Sequence, residues 1–397
     1  MKTIEILFWV GLFIIFYAYI GYGIVLYFLV RMKRLFKGSK PAGQNRFEPE
    51  VTLMIAAYNE KDFVAQKVEN TRSLDYPKDK LRQVWITDGS DDGTPELLKT
   101  YGDIEVYHQP ERRGKIAAMN RGVKLVKSPI LVFSDANTIL GRQSIREIVN
   151  LFENPKVGCV SGEKRIFSKD ADAAAGSGEG LYWKYESTLK KWDAELYSVV
   201  GAAGELFAIR TELFQEVEPD TLLDDFIISL RTAMKGYTIQ YNPEAYAIES
   251  ASADVKEELK RKIRISAGGI QSIIRLKALL NIFKYGMLSF QYISHRVLRW
   301  TLAPLFLLLI LIFNFALFFA SDNTYINPVI YRIIFYGQAL FYIAALTGWF
   351  LENRKLKVKL LFVPYYFFIM NLSVYLGFKR YLKKQQSVNW ERAKRGA

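Results

Sequence analysis

The sequence predicts an α/β domain with a mostly parallel sheet, inserted between transmembrane α-helices. Long uncharged runs lie near both ends of the 397-residue chain, whereas the middle has globular composition. In that middle, short apolar runs alternate with helix-like segments, which is typical of βαβ units. We therefore expect a transmembrane anchor and basic linker over residues 1–48, the α/β domain over 49–255, basic amphipathic interfacial helices over 256–297, and transmembrane helices with a basic tail over 298–397.

The net charge of +14 could indicate a nucleic-acid-binding protein. Much of the positive charge, however, lies beside the apolar runs, as in residues 31–40. Lysine and arginine in such positions contact anionic lipids. The composition therefore predicts membrane lipids as partners and no nucleic acid. The single cysteine, Cys159, excludes an internal disulfide.

The first uncharged run covers residues 6–30 and is long enough to cross a hydrocarbon core of about 30 Å. A cleaved signal peptide is the alternative, but the run is too long and has no evident cleavage site. We expect a retained anchor. The stretch RMKRLFKGSK that follows contains no acidic residue, which predicts that this end and the α/β domain are cytosolic.

The α/β domain is predicted to begin with four strands and two helices, each strand ending in polar residues. The strands are Val51–Ala57, Gln83–Thr87, Ile104–His108 and Ile130–Phe133, and the helices are Lys61–Leu74 and Lys115–Val126. In open α/β sheets, ligands bind beyond the carboxyl ends of the strands. The polar residues at 58–60, 88–94 and 134–137 therefore predict a nucleotide cleft.

Asp135 and Asn137 follow the apolar strand Ile130–Phe133 directly. Two oxygen ligands at this spacing suit Mg²⁺ or Mn²⁺ that bridges a diphosphate. The alternative is a helix cap, because Asp and Asn after a strand commonly cap the next helix. Lys115, at the end of the tetrad 112–115, opens a helix and could attract a phosphate, although a solvated charge run is the commoner reading.

Asp224 and Asp225 open the helix FIISLRTAMKG. Acidic residues in a first helical turn are favoured by the helix dipole alone. If Asp225 points into the cleft instead, it is a candidate general base.

Basic amphipathic sequence returns at residues 256–277, followed by apolar runs at 300–320, 330–350 and 360–378. The segment SDNTYINP between the first two runs has no Lys or Arg, whereas ENRKLKVK after the second has four. This asymmetry predicts a hairpin that leaves the cytoplasm and returns. The last run either spans the membrane or forms a re-entrant or interfacial helix, and both alternatives stay open.

Seven motifs occur in order along residues 49–275: VTLMIAAYNE, TDGSDDGT, RGK, FSDAN, GAAGELFAIR, LLDDFIISLR and RKIRI. Together they resemble the family 2 glycosyltransferases, in particular the membrane-embedded branch with the cellulose, hyaluronan, chitin and poly-N-acetylglucosamine synthases. The resemblance implies a cytosolic GT-A fold that binds a nucleotide sugar, usually a uridine diphosphate sugar, and inverts the anomeric carbon.

The resemblance also implies roles for individual residues. Tyr58 and Glu60 would lie near the nucleoside, Asp88 would bind the uracil, and Lys115 would approach the diphosphate. Asp135 and Asn137 match the metal-binding Asp-x-Asp motif, with an amide in place of the second acid. Asp224 and Asp225 match the acidic signature whose last Asp is the catalytic base.

The Gln-x-x-Arg-Trp signature is altered to residues 261–265 of this chain. Arg264 keeps the charge that faces the diphosphate, whereas Arg261 replaces Gln and Ile265 replaces Trp. In processive members of the family the Trp supports the acceptor sugar. Isoleucine offers no aromatic face for stacking, which weakens the polymerase interpretation.

These observations predict an inverting, Mg²⁺- or Mn²⁺-dependent glycosyltransferase in the cytoplasmic membrane of a bacterium. It would extend a cell-surface polysaccharide or glycan acceptor. Three or four apolar runs are few for a polysaccharide channel within one subunit, although an oligomer or an export partner could supply the rest. The alternatives are a transferase that adds one sugar to a membrane lipid and a non-catalytic scaffold or sugar-nucleotide sensor.

Overall fold

A single sheet of eight strands organises the α/β domain in the computed structural model, which describes residues 1–36, 47–167, 178–250, 255–319, 324–354 and 358–384. In chain order the strands are β1 Val51–Ala57, β2 Leu81–Asp88, β3 Glu105–Gln109, β4 Ile130–Asp135, β5 Ile139–Leu140, β6 Val157–Phe167, β7 Leu206–Arg210 and β8 Thr238–Ser250. Their order in the sheet is β3-β2-β1-β4-β7-β6-β8-β5.

Twelve helices of the described ranges are named here in chain order. They are α1 Lys2–Phe36, α2 Lys61–Arg72, α3 Thr94–Lys99, α4 Lys115–Val123, α5 Ser144–Val149, α6 Gly178–Leu196, α7 Asp224–Met234, α8 Val255–Arg275, α9 Met287–Trp300, α10 Leu302–Phe318, α11 Pro328–Asn353 and α12 Lys359–Leu382, with short turns of helix between some of them.

The first half of the sheet is parallel, because β3, β2, β1 and β4 all pair in the same direction. Its central strands are almost fully buried, since helices cover both faces. The carboxyl ends of these strands therefore meet at one edge, as the sequence predicted. The four predicted strands of this half agree with the structure to within two residues at each end.

The second half curls the sheet, because β7 runs antiparallel to both β4 and β6. Strand β8 pairs with β6 in parallel, with register shifts after Val157 and Ser161. Such irregularities increase the local twist of a sheet. The turn before β7 and the start of α7 are thereby brought to the edge at which β4 ends.

Three helices are long and apolar enough to cross a membrane: Lys2–Phe36, Pro328–Glu352 and Leu360–Leu382. The pair α9 and α10 would make a fourth span if counted together, although a 48° bend separates them. These helices coincide with the apolar runs of the sequence. The predicted division at residues 48, 255 and 297 stays a prediction.

Both ends of α1 are anchored by specific contacts. At its start, the Glu5 carboxylate accepts hydrogen bonds from Tyr325 N at 2.6 Å and Ile326 N at 2.9 Å. At its other end, Lys33 Nζ donates to the carbonyl oxygens of Glu195 and Leu196 at the end of α6. The segment that precedes α11 therefore lies at the end of the helix bundle opposite to the α/β domain, in agreement with the predicted hairpin.

Candidate active site

Asp88 ends strand β2 and anchors the loop that precedes α4. Its Oδ2 accepts hydrogen bonds from Arg113 N at 2.8 Å and Gly114 N at 2.6 Å, and its Oδ1 lies 3.5 Å from Arg121 Nη1. The next residue, Gly89, has φ +65° and a Cβ there would lie 2.6 Å from Arg112 Cβ. Asp88 thus positions the loop carrying Lys115, a contact that the sequence did not predict. Its expected contact with uracil stays a prediction.

Tyr58 and Glu60 lie on the loop after β1, beside the loop after β2. The Arg112 guanidinium stacks on the Tyr58 ring at 3.8 Å from its centroid, and Glu60 N donates to Thr94 Oγ1 at 3.0 Å. Asp92 Oδ1 accepts a hydrogen bond from Thr94 N at 2.9 Å. These contacts join the two loops into one wall of the cleft.

Lys115 forms the centre of a charged cluster at the end of β4. Its Nζ lies 2.8 Å from Asp135 Oδ1 and 3.6 Å from Asp224 Oδ2. Burial alone would lower the pKa of the Lys115 ammonium, but the Asp135 and Asp224 carboxylates outweigh this effect and raise that pKa well above its ordinary value. Lys115, the candidate phosphate-binding residue, therefore contacts both the candidate metal ligand Asp135 and the candidate catalytic residue Asp224.

The residues of the candidate metal site provide oxygen atoms, which are the ligands that a hard divalent cation prefers. Asn137 Oδ1 is buried and accepts no hydrogen bond from any residue that the structure describes. Together with Asp135 it offers two protein oxygens, and no group of three His, Cys, Asp or Glu side chains that could hold a metal occurs in the same described ranges. Mg²⁺ and similar cations are commonly held by one or two side chains plus substrate phosphates. The site therefore suits a cation that arrives with a diphosphate.

Asp225 is partly buried beside this cluster. Desolvation raises the pKa of its carboxyl to about 7, with a contribution from the neighbouring negative charge of Asp224, while the positive charge of Lys115 opposes the change. A Cβ at position 204 would lie 3.1 Å from Asp225 Oδ2, so Gly204 keeps space in front of the carboxylate. A carboxyl that titrates near neutral pH is suited to accept a proton from a hydroxyl group.

Helix α8 brings Arg261 and Arg264 to the same region. Burial lowers the pKa of the Arg264 guanidinium, whereas the charges of Asp224 and Asp135 act in the opposite direction, which shows that Arg264 lies within electrostatic range of both acids. Arg261 lies 3.9 Å from Glu258. Burial alone would raise the pKa of Glu205, but the charge of Lys164 and, to a smaller extent, that of Arg261 hold it well below its ordinary range.

The sequence interpretation missed Lys67, a lysine on α2 that is only 1% exposed. Its Nζ donates to Ser134 Oγ at 2.8 Å and to Thr138 O at 2.8 Å, on the two sides of the turn that carries Asp135 and Asn137. Burial lowers the pKa of this ammonium to about 7, although the charge of Asp135 opposes the effect. Its position on the core-facing side of a predicted helix is the feature of the sequence that could have indicated a buried, functional lysine.

Residues 52–218 match the profile of glycosyl transferase family 2. The chain is 22% identical to a poly-beta-1,6-N-acetyl-D-glucosamine synthase of Staphylococcus epidermidis, and the alignment covers 94% of each chain. It is 26% identical to the synthase of the same name from Staphylococcus aureus over 57% of this chain and 56% of that one.

Among solved structures, the chain is similar to a mannosyltransferase from Pyrobaculum calidifontis, solved in complex with GDP-Man and Mn²⁺. The TM-score is 0.67 at 21% sequence identity, and the match covers 96% of this chain and 99% of that one. The fold is therefore GT-A-like, which confirms the fold predicted from the sequence.

Proposed function

We propose that this chain transfers a sugar with inversion from a UDP-sugar to a growing cell-surface polysaccharide, because residues 52–218 match the profile of glycosyl transferase family 2 and the chain is similar to poly-beta-1,6-N-acetyl-D-glucosamine synthases. The observation that carries this proposal is the geometry around Asp225. A carboxyl with a pKa of about 7 lies beside a candidate cation site and two basic side chains, Lys115 and Arg264.

Asp225 acts as the general base in this proposal. Its carboxylate accepts the proton of the acceptor hydroxyl as the hydroxyl oxygen forms a bond to the anomeric carbon. The bond from that carbon to the diphosphate oxygen breaks on the opposite face, so the configuration inverts. Desolvation, together with charge repulsion from Asp224, keeps the pKa of Asp225 near neutral pH.

Asp135 and Asn137 would hold Mg²⁺ or Mn²⁺, which when bound neutralises charge on the departing diphosphate. Lys115 and Arg264 add two positive charges to the same side of the cleft, and Arg261 extends this basic surface along α8. Tyr58, Glu60 and Asp88, which line the other wall, bind the nucleoside and hold the loop around it.

The acceptor is proposed to be a polysaccharide because the relatives aligned over the chain are poly-beta-1,6-N-acetyl-D-glucosamine synthases. The proposed location is the cytoplasmic membrane, with several spans, bound membrane lipids and a cytosolic catalytic domain. Since only three or four helices could span a membrane within the described ranges, an oligomer or an export partner would complete a path for the polymer.

A second candidate function is the transfer of a single sugar to a membrane lipid. It is favoured by Ile265, which has no aromatic face to support an acceptor sugar, and by the small number of candidate spans. A ladder of products would favour the polymerase, and one glycolipid would favour the single transfer. A non-catalytic sensor is the third alternative, and the presence of Asp88, Asp135, Asp225 and Arg264 together argues against it.

The test is release of nucleoside diphosphate by the detergent-purified chain with Mn²⁺ or Mg²⁺. The panel contains UDP-N-acetylglucosamine, UDP-glucose and GDP-mannose, each with the Asp225→Asn variant beside it. We expect release from one UDP-sugar that the variant loses, while the variant binds UDP within a few fold of the unchanged chain. Equal turnover by Asp225→Asn would contradict the assignment of the base. The Asp62→Asn variant, which changes an exposed acid on α2, is the matched control.

A further inference from the structure

Lys115 lies between the candidate metal site and the candidate catalytic acids. Its ammonium contacts Asp135 at 2.8 Å and Asp224 at 3.6 Å. The Lys115 side chain is 21% exposed, compared with 12% for Asp135 and 13% for Asp224. Of the three side chains, that of Lys115 is therefore the most exposed.

We propose that Lys115 is a resident counter-ion: it pairs with Asp135 of the candidate metal site and with Asp224 in the free enzyme, and it moves to the donor diphosphate when nucleotide and metal bind. This inference rests on the proposed function, because it assumes that Asp135 holds a divalent cation. Lys115 therefore has two positions, and binding of the donor moves its side chain from the first to the second.

The reason is competition for one carboxylate. Asp135 Oδ1 binds the ammonium, and a small divalent cation would need a carboxylate oxygen at about 2.1 Å. Two cations on the same carboxylate repel each other. A lysine carries its charge on a flexible four-carbon chain and can move away, and the oxygens of a diphosphate offer it an alternative partner.

A consequence is that the metal and the nucleotide bind cooperatively. Without nucleotide, Mn²⁺ has to displace an ammonium that two carboxylates hold, so it binds weakly. With nucleotide, the diphosphate accepts Lys115 and completes the coordination of the metal. The coupling is reciprocal, so Mn²⁺ strengthens nucleotide binding by the same factor.

The test measures Mn²⁺ binding without turnover, by electron paramagnetic resonance of free Mn²⁺ in the presence of the full-length purified chain. We expect the Lys115→Met variant to bind Mn²⁺ without nucleotide at least about tenfold more tightly than the unchanged chain, because two carboxylates lose their counter-ion. The same variant should bind UDP at saturating Mn²⁺ about tenfold more weakly, because a charge-assisted contact is lost. Opposite changes in the two affinities distinguish this mechanism from structural damage, which weakens both.

The Lys124→Met variant is the matched control, since Lys124 follows the same helix, is exposed and pairs with Glu216, and both affinities should stay unchanged in it. If Lys115→Met fails to fold, Lys115→Gln serves in its place. Mn²⁺ affinity that is unchanged or weaker in the Lys115 variant overturns the inference. If Asp135→Ala abolishes Mn²⁺ binding but Lys115→Met leaves the Mn²⁺ affinity unaltered, this inference alone is overturned. If Asp135→Ala leaves the Mn²⁺ affinity unaltered, the metal site of the proposed function is contradicted as well.

Discussion

At the scale of single residues, the Asp225 carboxyl controls the pH dependence of the proposed reaction. Its pKa is raised to about 7, first by desolvation and then by the charge of Asp224. Below pH 7 the group is protonated and cannot accept a proton, and above pH 7 it is a carboxylate that can. We therefore expect kcat/KM to rise about tenfold per pH unit below pH 7 and to level off above it.

The measurement is the initial rate of nucleoside diphosphate release at low donor concentration between pH 5 and pH 9. Binding of UDP in the same buffers is the control, because a change in nucleotide binding would produce a similar slope. A flat kcat/KM profile from pH 5 to pH 8, with UDP binding also flat, would show that the base is another group.

Arg264 supports the second prediction at this scale. Its guanidinium lies within electrostatic range of Asp224 and Asp135, and we propose that it contacts the donor diphosphate. The Arg264→Ala variant should lower activity by at least about tenfold, the value of one charge-assisted hydrogen bond. Lys260→Ala is the matched control, since Lys260 is an exposed basic residue of the same helix with Glu257 as its partner. Equal activities of the two variants would assign this part of α8 to lipid contact only.

At the scale of secondary-structure elements, Lys67 of α2 stabilises the turn between β4 and β5 by donating hydrogen bonds to Ser134 and Thr138. Groups that orient metal ligands typically change metal affinity by about 10- to 100-fold when they are removed. We expect Lys67→Met to raise the Mn²⁺ concentration for half-maximal activity by at least about tenfold, with a much smaller change in kcat at saturating Mn²⁺. The exposed Lys61 of the same helix, changed to Met, should have no such effect. An unaltered Mn²⁺ dependence in Lys67→Met would limit this lysine to a role in folding.

The elements that could be predicted from the sequence are those whose signal is local. The apolar runs of β1 and β4 end abruptly in polar residues, so their position at the ligand-binding edge followed from the pattern alone. Lys67 could not be assigned in this way, because its partners Ser134 and Thr138 are distant in sequence. The same is true of Asp88, whose role in holding residues 113–114 depends on how two loops pack.

At the scale of the whole molecule, the sequence leaves open whether the last helix spans the membrane or forms a re-entrant or interfacial helix. Helix α12 is long and apolar enough to span a membrane, yet its second half packs along α8. Ser373 Oγ lies 3.3 Å from Ser266 Oγ, and a Cβ at Gly377 would lie 2.7 Å from Ser266 Cβ. Helix α8 carries Arg264 of the candidate active site, so these contacts hold the second half of α12 beside that helix.

A helix that crossed a bilayer would leave that surface within a few turns, at 1.5 Å per residue. From this packing we predict the interfacial alternative for α12, with the basic tail on the same side of the membrane as the α/β domain. This arrangement also satisfies the preference of lysine and arginine for the cytoplasmic side, which a fully spanning α12 would violate.

Cysteine labelling tests this arrangement, because the chain has one cysteine and Cys159 is buried. In a Cys159→Ser background, single cysteines replace Thr324 near the start of α11, Thr100 on the surface of the α/β domain, or Ser387 in the tail. With a membrane-impermeant maleimide on intact spheroplasts, we expect labelling at position 324 but not at 100 or 387. All three should react once the membrane is permeabilised. Labelling at position 387 in intact spheroplasts, with position 100 still protected, would show that α12 crosses the membrane.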